Sequence, residues 1–524
     1  MVNRRHGRSS PASSTARATP GTHRLKTLAV LWLAASVCFG PNVGASGRSP
    51  NLTRGAAQSG TAPLVPVAAL KQLHKQLSAL EAGPEADLTA IISERALTAV
   101  ARRMSGLEIE LANGARLQVT TVELTLKTGA ALVQVGVKAY PAGNLAGVDL
   151  RLSGSLGSGE ASAGRLRLPF RLTEVTPGEQ GSASVPLLQS LLRDWLSPER
   201  WNATLPPVEL PLQLSETLEL PAASFEVGGQ MPMTVTTPAY RVKADFSLAA
   251  VMILDGRAVV ALSLADGAIS APAAGNHAAN NEGAAALEAE VARLAQRLTA
   301  AGDLRVRLSR RALNSVLAQI AAAGTTDLTA QLKPARIRSE TIDGIFKTVN
   351  YTDVEAGDGR ADVQKLAVER IKAGHLDLRL AAQGDLSTRL RGREYGIPYR
   401  LSPNGTFAIR DEVVPLQVAN EHDRLTLRAA PSSRLPIEVK LGLSVAGRQI
   451  SLTRNVVAQA DQWLKGLTLP MMLARELPLP RRIKLDPGQP AQVSTALARC
   501  RLSRLRGTAD QDAVEITAEL LIDG

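Results

Sequence analysis

Cysteine and aromatic side chains are the scarcest parts of this sequence. Two cysteines, Cys38 and Cys500, stand in 524 residues, and Phe, Trp and Tyr together make up 3%. Cys38 falls in an N-terminal apolar run expected to be removed, which leaves one thiol and no internal disulfide. The mature chain must then be held by its core and its sheets. Cys500 reads as a small buried apolar residue. With so few aromatics, that core has to be aliphatic: Leu, Val, Ile and Ala.

The usual marks of catalysis are also missing. Outside the N-terminal run the histidines are His74, His277, His375 and His422, none at metal-ligand spacing from another, so no metal site is expected. There is no glycine-lysine phosphate loop. Gly442-Leu-Ser444-Val-Ala446 partly resembles a nucleophile elbow, but it sits in an alternating strand pattern rather than at a strand-to-helix turn. Asp353-Val-Glu-Ala-Gly-Asp358-Gly-Arg-Ala-Asp362 has the composition of a calcium loop without its ligand spacing, and reads as a turn. No catalytic residue, no cofactor and no enzymatic activity are expected.

What the chain does have is positive charge, and part of it has a local source. The formal net charge is +12. Residues 1–46 hold Arg4, Arg5, Arg8, Arg17, Arg24 and Lys26 with no acidic residue, so the rest of the chain carries +6. That remainder is scattered through alternating patterns, as in Arg151, Arg165, Arg167 and Arg171. It suits a solvated sheet face or attraction to an anionic membrane or envelope polymer. No basic run interleaves with aromatics, so nucleic acid is not an expected partner. After Lys26 comes the apolar run from Leu28 to Phe39, and then Val43-Gly44-Ala45 as a cleavage site. This is the layout of a secretory signal peptide, and the run is short for a membrane span. The expected location is the periplasm or cell envelope of a bacterium.

The mature part repeats itself. Asp87-Leu-Thr-Ala-Ile-Ile-Ser-Glu-Arg-Ala-Leu-Thr-Ala-Val100 matches Asp303-Leu-Arg-Val-Arg-Leu-Ser-Arg-Arg-Ala-Leu-Asn-Ser-Val316 at an offset of 216. Further on, Trp195-Leu196 matches Trp463-Leu464, Glu209–Leu212 matches Glu476–Leu479, and Leu254–Gly256 matches Ile522–Gly524. These offsets are 267 to 268, so about 52 extra residues fall in the second copy. Residues 267–283 are small, polar and aperiodic, as a linker should be. The expected division is 1–45 signal peptide, 46–64 spacer, 65–266 first module, 267–283 linker and 284–524 second module.

Within each module the periodicity changes from helical to alternating. Helical patterns occupy about 67–82 and 284–299. Ser93 and Ser309 each open a further helix as its cap. Those helices present Leu97, Val100 and Met104 in the first copy, and Leu313, Val316, Leu317 and Ile320 in the second, as apolar stripes. Strands follow, with Val122, Leu124 and Leu126, or Val133, Val135 and Val137, alternating with polar residues. Ile437, Val439, Leu441, Leu443 and Val445 do the same in the second copy. A second helix is expected at about 185–197 and again at 453–466. The fold class expected is α+β: two tandem modules, each a long curved antiparallel sheet wrapped around amphipathic helices.

The helix entry at 304–317, Leu-x-Arg-x-Leu-Ser-Arg-Arg-Ala-Leu-Asn-Ser-Val-Leu, followed by long amphipathic strands, resembles bacterial proteins related to the tubular lipid-binding (TULIP) superfamily. Tandem modules behind a signal peptide also resemble an exported bacterial family known only as a domain of unknown function. The first copy departs from the pattern with Thr98 where the second has Asn314. The resemblance implies an acyl chain held in an apolar tube between helix and sheet. It would be lined by Leu97, Val100, Met104, Val122, Leu124, Leu313, Val316, Leu317, Ile320, Leu441 and Leu443. At about 0.8 kcal/mol per buried methylene, a sixteen-carbon chain gains on the order of 12 kcal/mol before the costs of binding. The expected partners are a lipid or other acyl-chain ligand, a membrane surface, or an envelope protein. In the alternative reading the core is filled and the chain is a structural or assembly module that binds a protein through its sheets.

Overall fold

A computed structural model describes residues 67–82, 86–111, 114–140, 147–157, 160–162, 165–168, 170–177, 198, 208–211, 213–220, 222–227, 231–238, 240–264, 284–299, 302–322, 328–343, 346–394, 397–421, 424–430, 434–445, 448–459, 468–469, 475–485, 492–510 and 513–523. The signal peptide, the spacer, the linker and the helix expected at 185–197 lie outside these residues, apart from isolated Pro198 beyond the last.

The first half opens with helix α1 (Val67–Ala82), strand β1 (Leu88–Ser93) and helix α2 (Glu94–Arg102). The strands β2 (Glu108–Leu111), β3 (Arg116–Lys127), β4 (Ala130–Tyr140) and β5 (Val148–Gly157) follow. Next come β6 (Glu160–Ser162), β7 (Arg165–Leu168), β8 (Phe170–Pro177), β9 (Val208–Pro211) and β10 (Gln213–Leu220). It ends with β11 (Ala223–Val227), β12 (Met233–Thr237), β13 (Tyr240–Leu254) and β14 (Arg257–Leu264).

The second half repeats the opening with α3 (Ala284–Ala295), β15 (Leu304–Ser309) and α4 (Arg310–Ala322). Then come β16 (Leu328–Leu332), β17 (Ala335–Asp343), β18 (Phe346–Lys372), β19 (His375–Glu394), β20 (Ile397–Leu401) and β21 (Asn404–Glu421). The chain continues through β22 (Arg424–Ala429), β23 (Arg434–Val445), β24 (Arg448–Gln459) and β25 (Thr468–Leu469). It closes with β26 (Arg475–Leu485), β27 (Gln492–Asp510) and β28 (Ala513–Asp523).

This overturns the α+β expectation. Among the described residues 71% are strand and 17% are helix, with four helices. The physical reason lies in the long alternating runs, which carry enough aliphatic side chains on one face to form cores largely from sheet. Helices α1 and α3 do not sit inside a sheet at all: they pack on the outer side of the β13–β14 hairpin with Met252, Leu254, Val259 and Ala261. The helix expected at 453–466 is also corrected as far as residue 459. Residues 448–459 form β24, paired to β23 along all twelve residues, because Ile450, Leu452 and their alternating neighbours carry a strand period. The calcium-like run 353–362 is neither loop nor turn, since it lies inside β18.

The sheets do not divide as the repeats do. One sheet of thirteen strands runs β10-β13-β14-β1-β15-β28-β27-β26-β2-β3-β4-β5-β8, mixing strands of both halves. A second, of twelve, follows β11-β12-β16-β18-β19-β21-β22-β25, with β17, β20, β23 and β24 attached to it. A three-stranded sheet holds β6, β7 and β9. At the centre of the first sheet β1 pairs antiparallel with β15, and Ala90 lies opposite Val306. That register has two-fold symmetry, because the repeat offset of 216 carries Ala90 onto Val306 and Leu88 onto Leu304. On either side, the β13–β14 and β27–β28 hairpins occupy equivalent places.

Candidate functional site

The two Ser-capped helices are held by a reciprocal clamp across the central strand pair. Ser93 caps α2, its Oγ accepting the Ala96 N–H at 3.1 Å. The same hydroxyl donates to Asp303 Oδ1 at 3.0 Å, and Arg95 Nε donates to that oxygen at 2.7 Å. Asp303 Oδ2 accepts the Leu520 N–H at 3.1 Å. In the other half, Ser309 Oγ accepts the Ala312 N–H at 3.1 Å and donates to Asp87 Oδ1 at 3.2 Å. Arg311 reaches both Asp87 oxygens, at 2.7 and 2.6 Å, and the Leu264 N–H donates to Oδ2 at 2.8 Å. Each half thus supplies the aspartate that fixes the other half's helix start. The Ser93 N–H donates to the Asp303 carbonyl at 2.9 Å, and the Ser309 N–H to that of Asp87 at 3.0 Å.

Both aspartates are almost wholly buried, at 0% exposure for Asp87 and 4% for Asp303. A buried carboxylate is tolerable only when its lone pairs are filled, and here they are. Burial pushes the Asp303 carboxyl up; the Arg95, Leu520 and Ser93 hydrogen bonds and the Arg95 charge outweigh it and hold it below the ordinary aspartate range. The hydrogen bond to Asp303 raises Arg95, and that to Asp87 raises Arg311. The cap role of the serines was readable from the sequence, but the aspartate and arginine roles were not. The available signal was that Asp, Ser and Arg recur together at an offset of 216.

From this clamp α2 enters a closed core. Leu97 and Val100 on α2 are 3% and 0% exposed; Met104, expected on the helix stripe, lies instead in the turn after Arg102 and is 0% exposed. Val122 and Leu124 on β3 join them in one cluster with β4, β5, β13, β14 and parts of β26 and β27. Thr98 hydroxyl donates to the Leu124 carbonyl at 3.2 Å, tying helix to sheet. All five first-half residues expected to line a tube are therefore packed together.

Helix α4 starts in the same way but is differently covered. It lies against β18, and Asn314, at the place of Thr98, makes two bonds to that strand. Its Nδ2 donates to the Val368 carbonyl at 3.0 Å and its Oδ1 accepts the Val368 N–H at 2.6 Å. Ala312 is buried, whereas Leu313, Val316 and Leu317 are half-buried. Leu313 and Leu317 rest on the rim of the second core; Ile320 lies on the same helix. Beneath them the sheet presents Val368, Ile371, Leu376, Leu378 and Leu380, and β27 and β28 add Leu505, Val514 and Ile516. Leu441 belongs to this core and Leu443 follows it on β23. The helix is about 20 Å long at 1.5 Å per residue, and β19, with 20 residues, is about 66 Å at 3.3 Å per residue. One short helix thus lies on a much longer aliphatic face.

Among the described residues no group of three or more His, Cys, Asp or Glu could hold a metal ion. No helix there is long and apolar enough to cross a membrane. No protein-family profile matches the chain, and no curated protein matches its sequence. Among solved structures it is similar to the crystal structure of lipopolysaccharide binding protein, at a TM-score of 0.22 and 10% identity, over 83% of this chain and 99% of that one. At that score the likeness is slight.

Proposed function

We propose that the chain is an exported, non-catalytic lipid-binding protein that holds an acyl chain along the seam between α4 and the second sheet. The observation that carries this reading is the half-covered apolar stripe of α4. Leu313, Val316 and Leu317 stand partly open over an aliphatic sheet, while their counterparts on α2 are closed off. Partly exposed apolar side chains facing an aliphatic layer gain from any ligand that removes them from water. A long hydrocarbon chain fits a linear seam without specific polar contacts. Lipid transfer between envelope membranes is the activity this arrangement would serve, with the first half as the solid member of the pair.

Two measurements test this. Native mass spectrometry of protein purified from its own envelope should find lipid bound, and the purified chain should take up a fluorescent fatty acid. Absence of both would leave a filled core and overturn the proposal. Leu313→Gln together with Leu317→Gln should abolish the uptake and leave the chain folded.

A further inference from the structure

The β18–β19 hairpin outgrows its first-half counterpart. Both hairpins turn at a positive-φ glycine whose N–H is held by the closing hairpin: Gly129 donates to the Ile253 carbonyl and Gly374 to that of Ala509, both at 2.9 Å. Behind the turn β3 and β4 run for 12 and 11 residues, whereas β18 and β19 run for 27 and 20. Strands β17 and β20 flank this extra length.

The register sets two rows of residues across the extension. Arg336, Asp353, Arg391 and Arg400 stand opposite one another across β17, β18, β19 and β20. Arg338, Tyr351, Arg393 and Pro398 form the next row. Ile337, Val354 and Leu390 on the other face are buried in the second core, so both rows face outward. The five arginines of the rows are exposed, as is Arg389 beside them. Asp353 is held by Arg336 at 2.5 and 2.9 Å and Glu355 lies 3.3 Å from Arg400, while Asp358 and Asp385 are exposed further along the same hairpin. The Arg336 guanidinium also lies 5.0 Å from the centre of the Tyr351 ring. Arg391 and Arg400 are direct cross-strand neighbours of like charge, offset in part by Asp353 beside Arg391 and Glu355 beside Arg400.

We propose that this face docks the protein on a bilayer carrying anionic phospholipid headgroups. Guanidinium forks match phosphate oxygens two at a time. A tyrosine set among them suits the headgroup level, where one end of a side chain is apolar and the other wet. The rows spread over four strands rather than closing around one point, so they fit a surface rather than a single small anion. The proposal rests on this charge arrangement and does not require the acyl-chain seam.

The test is co-sedimentation of the full chain with vesicles of phosphatidylcholine alone or mixed with phosphatidylglycerol. Every protein compared carries glutamine at Arg4, Arg5, Arg8, Arg17, Arg24 and Lys26, so the basic N-terminus does not mask the result. Arg338→Gln, Arg391→Gln and Arg393→Gln together should weaken binding to the mixed vesicles roughly a hundredfold. High salt should remove the difference. A charge-matched control, Lys71→Gln, Lys75→Gln and Arg102→Gln, should bind like the parent. Equal binding by the triple variant, an equal loss in the control, or parent binding to soluble heparin but not to vesicles would each overturn the proposal. Loss of fatty-acid uptake in the parent would remove the acyl-chain reading and leave the vesicle result intact, because the vesicle assay needs no bound lipid.

Discussion

Helices α2 and α4 leave the same clamp at the same repeat spacing, and then meet different surroundings. The first is packed shut, with Val100 on it and Met104 in the turn after it fully buried. The second keeps Leu313, Val316 and Leu317 only partly buried beside a longer sheet. The outer sides of the central sheet differ as well. On the first-half side α1 and α3 cover Met252, Leu254, Val259 and Ala261. On the second-half side charged pairs take their place, Arg305 with Glu515 and Arg504 with Glu519. The two matching openings thus lead to one helix that is enclosed and one whose apolar side chains stay partly exposed. Stability should concentrate in the first and ligand response in the second.

The strongest way to break this comparison is to open the closed half. Met104→Ala should cost about 3 kcal/mol, because it leaves a cavity among fully buried side chains. Leu317→Ala should cost about 1 kcal/mol, since that side chain is already partly solvated. Urea unfolding of the two variants measures both, and equal losses would mean that α4 is as enclosed as α2.

Next in size is the clamp. Asp87→Ala should destabilise by about 2–3 kcal/mol, because the Leu264 N–H and the Ser309 hydroxyl lose a buried acceptor. The loss should appear in both halves at once, since Asp87 belongs to one half and fixes the helix start of the other. Hydrogen exchange confined to the first half would contradict that.

A smaller and more specific effect follows from Asp303. Its carboxyl is held below the ordinary value in the folded chain. Its contribution should be complete above about pH 4, the ordinary aspartate value, and should drain away as pH falls through the lowered folded value. Asp303→Asn should therefore be less stable than the parent at about pH 7, with the gap closing in acid. A gap that stays constant with pH would show that the charge plays no part.

The sequence made the framework legible because its signals are local or periodic. The caps at Ser93 and Ser309 and the strands through Val122, Val133 and Leu378 stand in the structure, and Asp, Ser and Arg residues 216 apart take reciprocal places in the clamp. The balance of helix and sheet was misjudged for a physical reason: a short run such as 453–459 has few residues in which to separate a helical from an alternating period, and its long-range partner β23 decided the outcome. The match of Leu254–Gly256 with Ile522–Gly524 also fails to superpose. Gly256 sits at the turn between β13 and β14, while Ile522 lies near the end of the final strand, across from Cys500. Strand pairing relates Leu264 to Leu520 instead, through their matching bonds to Asp87 and Asp303. The arginine rows were invisible to a linear reading because they are assembled from four strands, each of which supplies two members.

The most direct test of the contrast between the halves is to map where an acyl chain sits. A photoreactive fatty acid should be bound by the purified chain, cross-linked by light and located by peptide mass spectrometry. The account predicts label on α4 and on β18 and β19 beneath it, with none on α2 or β3. Label on α2 and β3, or no specific label anywhere, would contradict it.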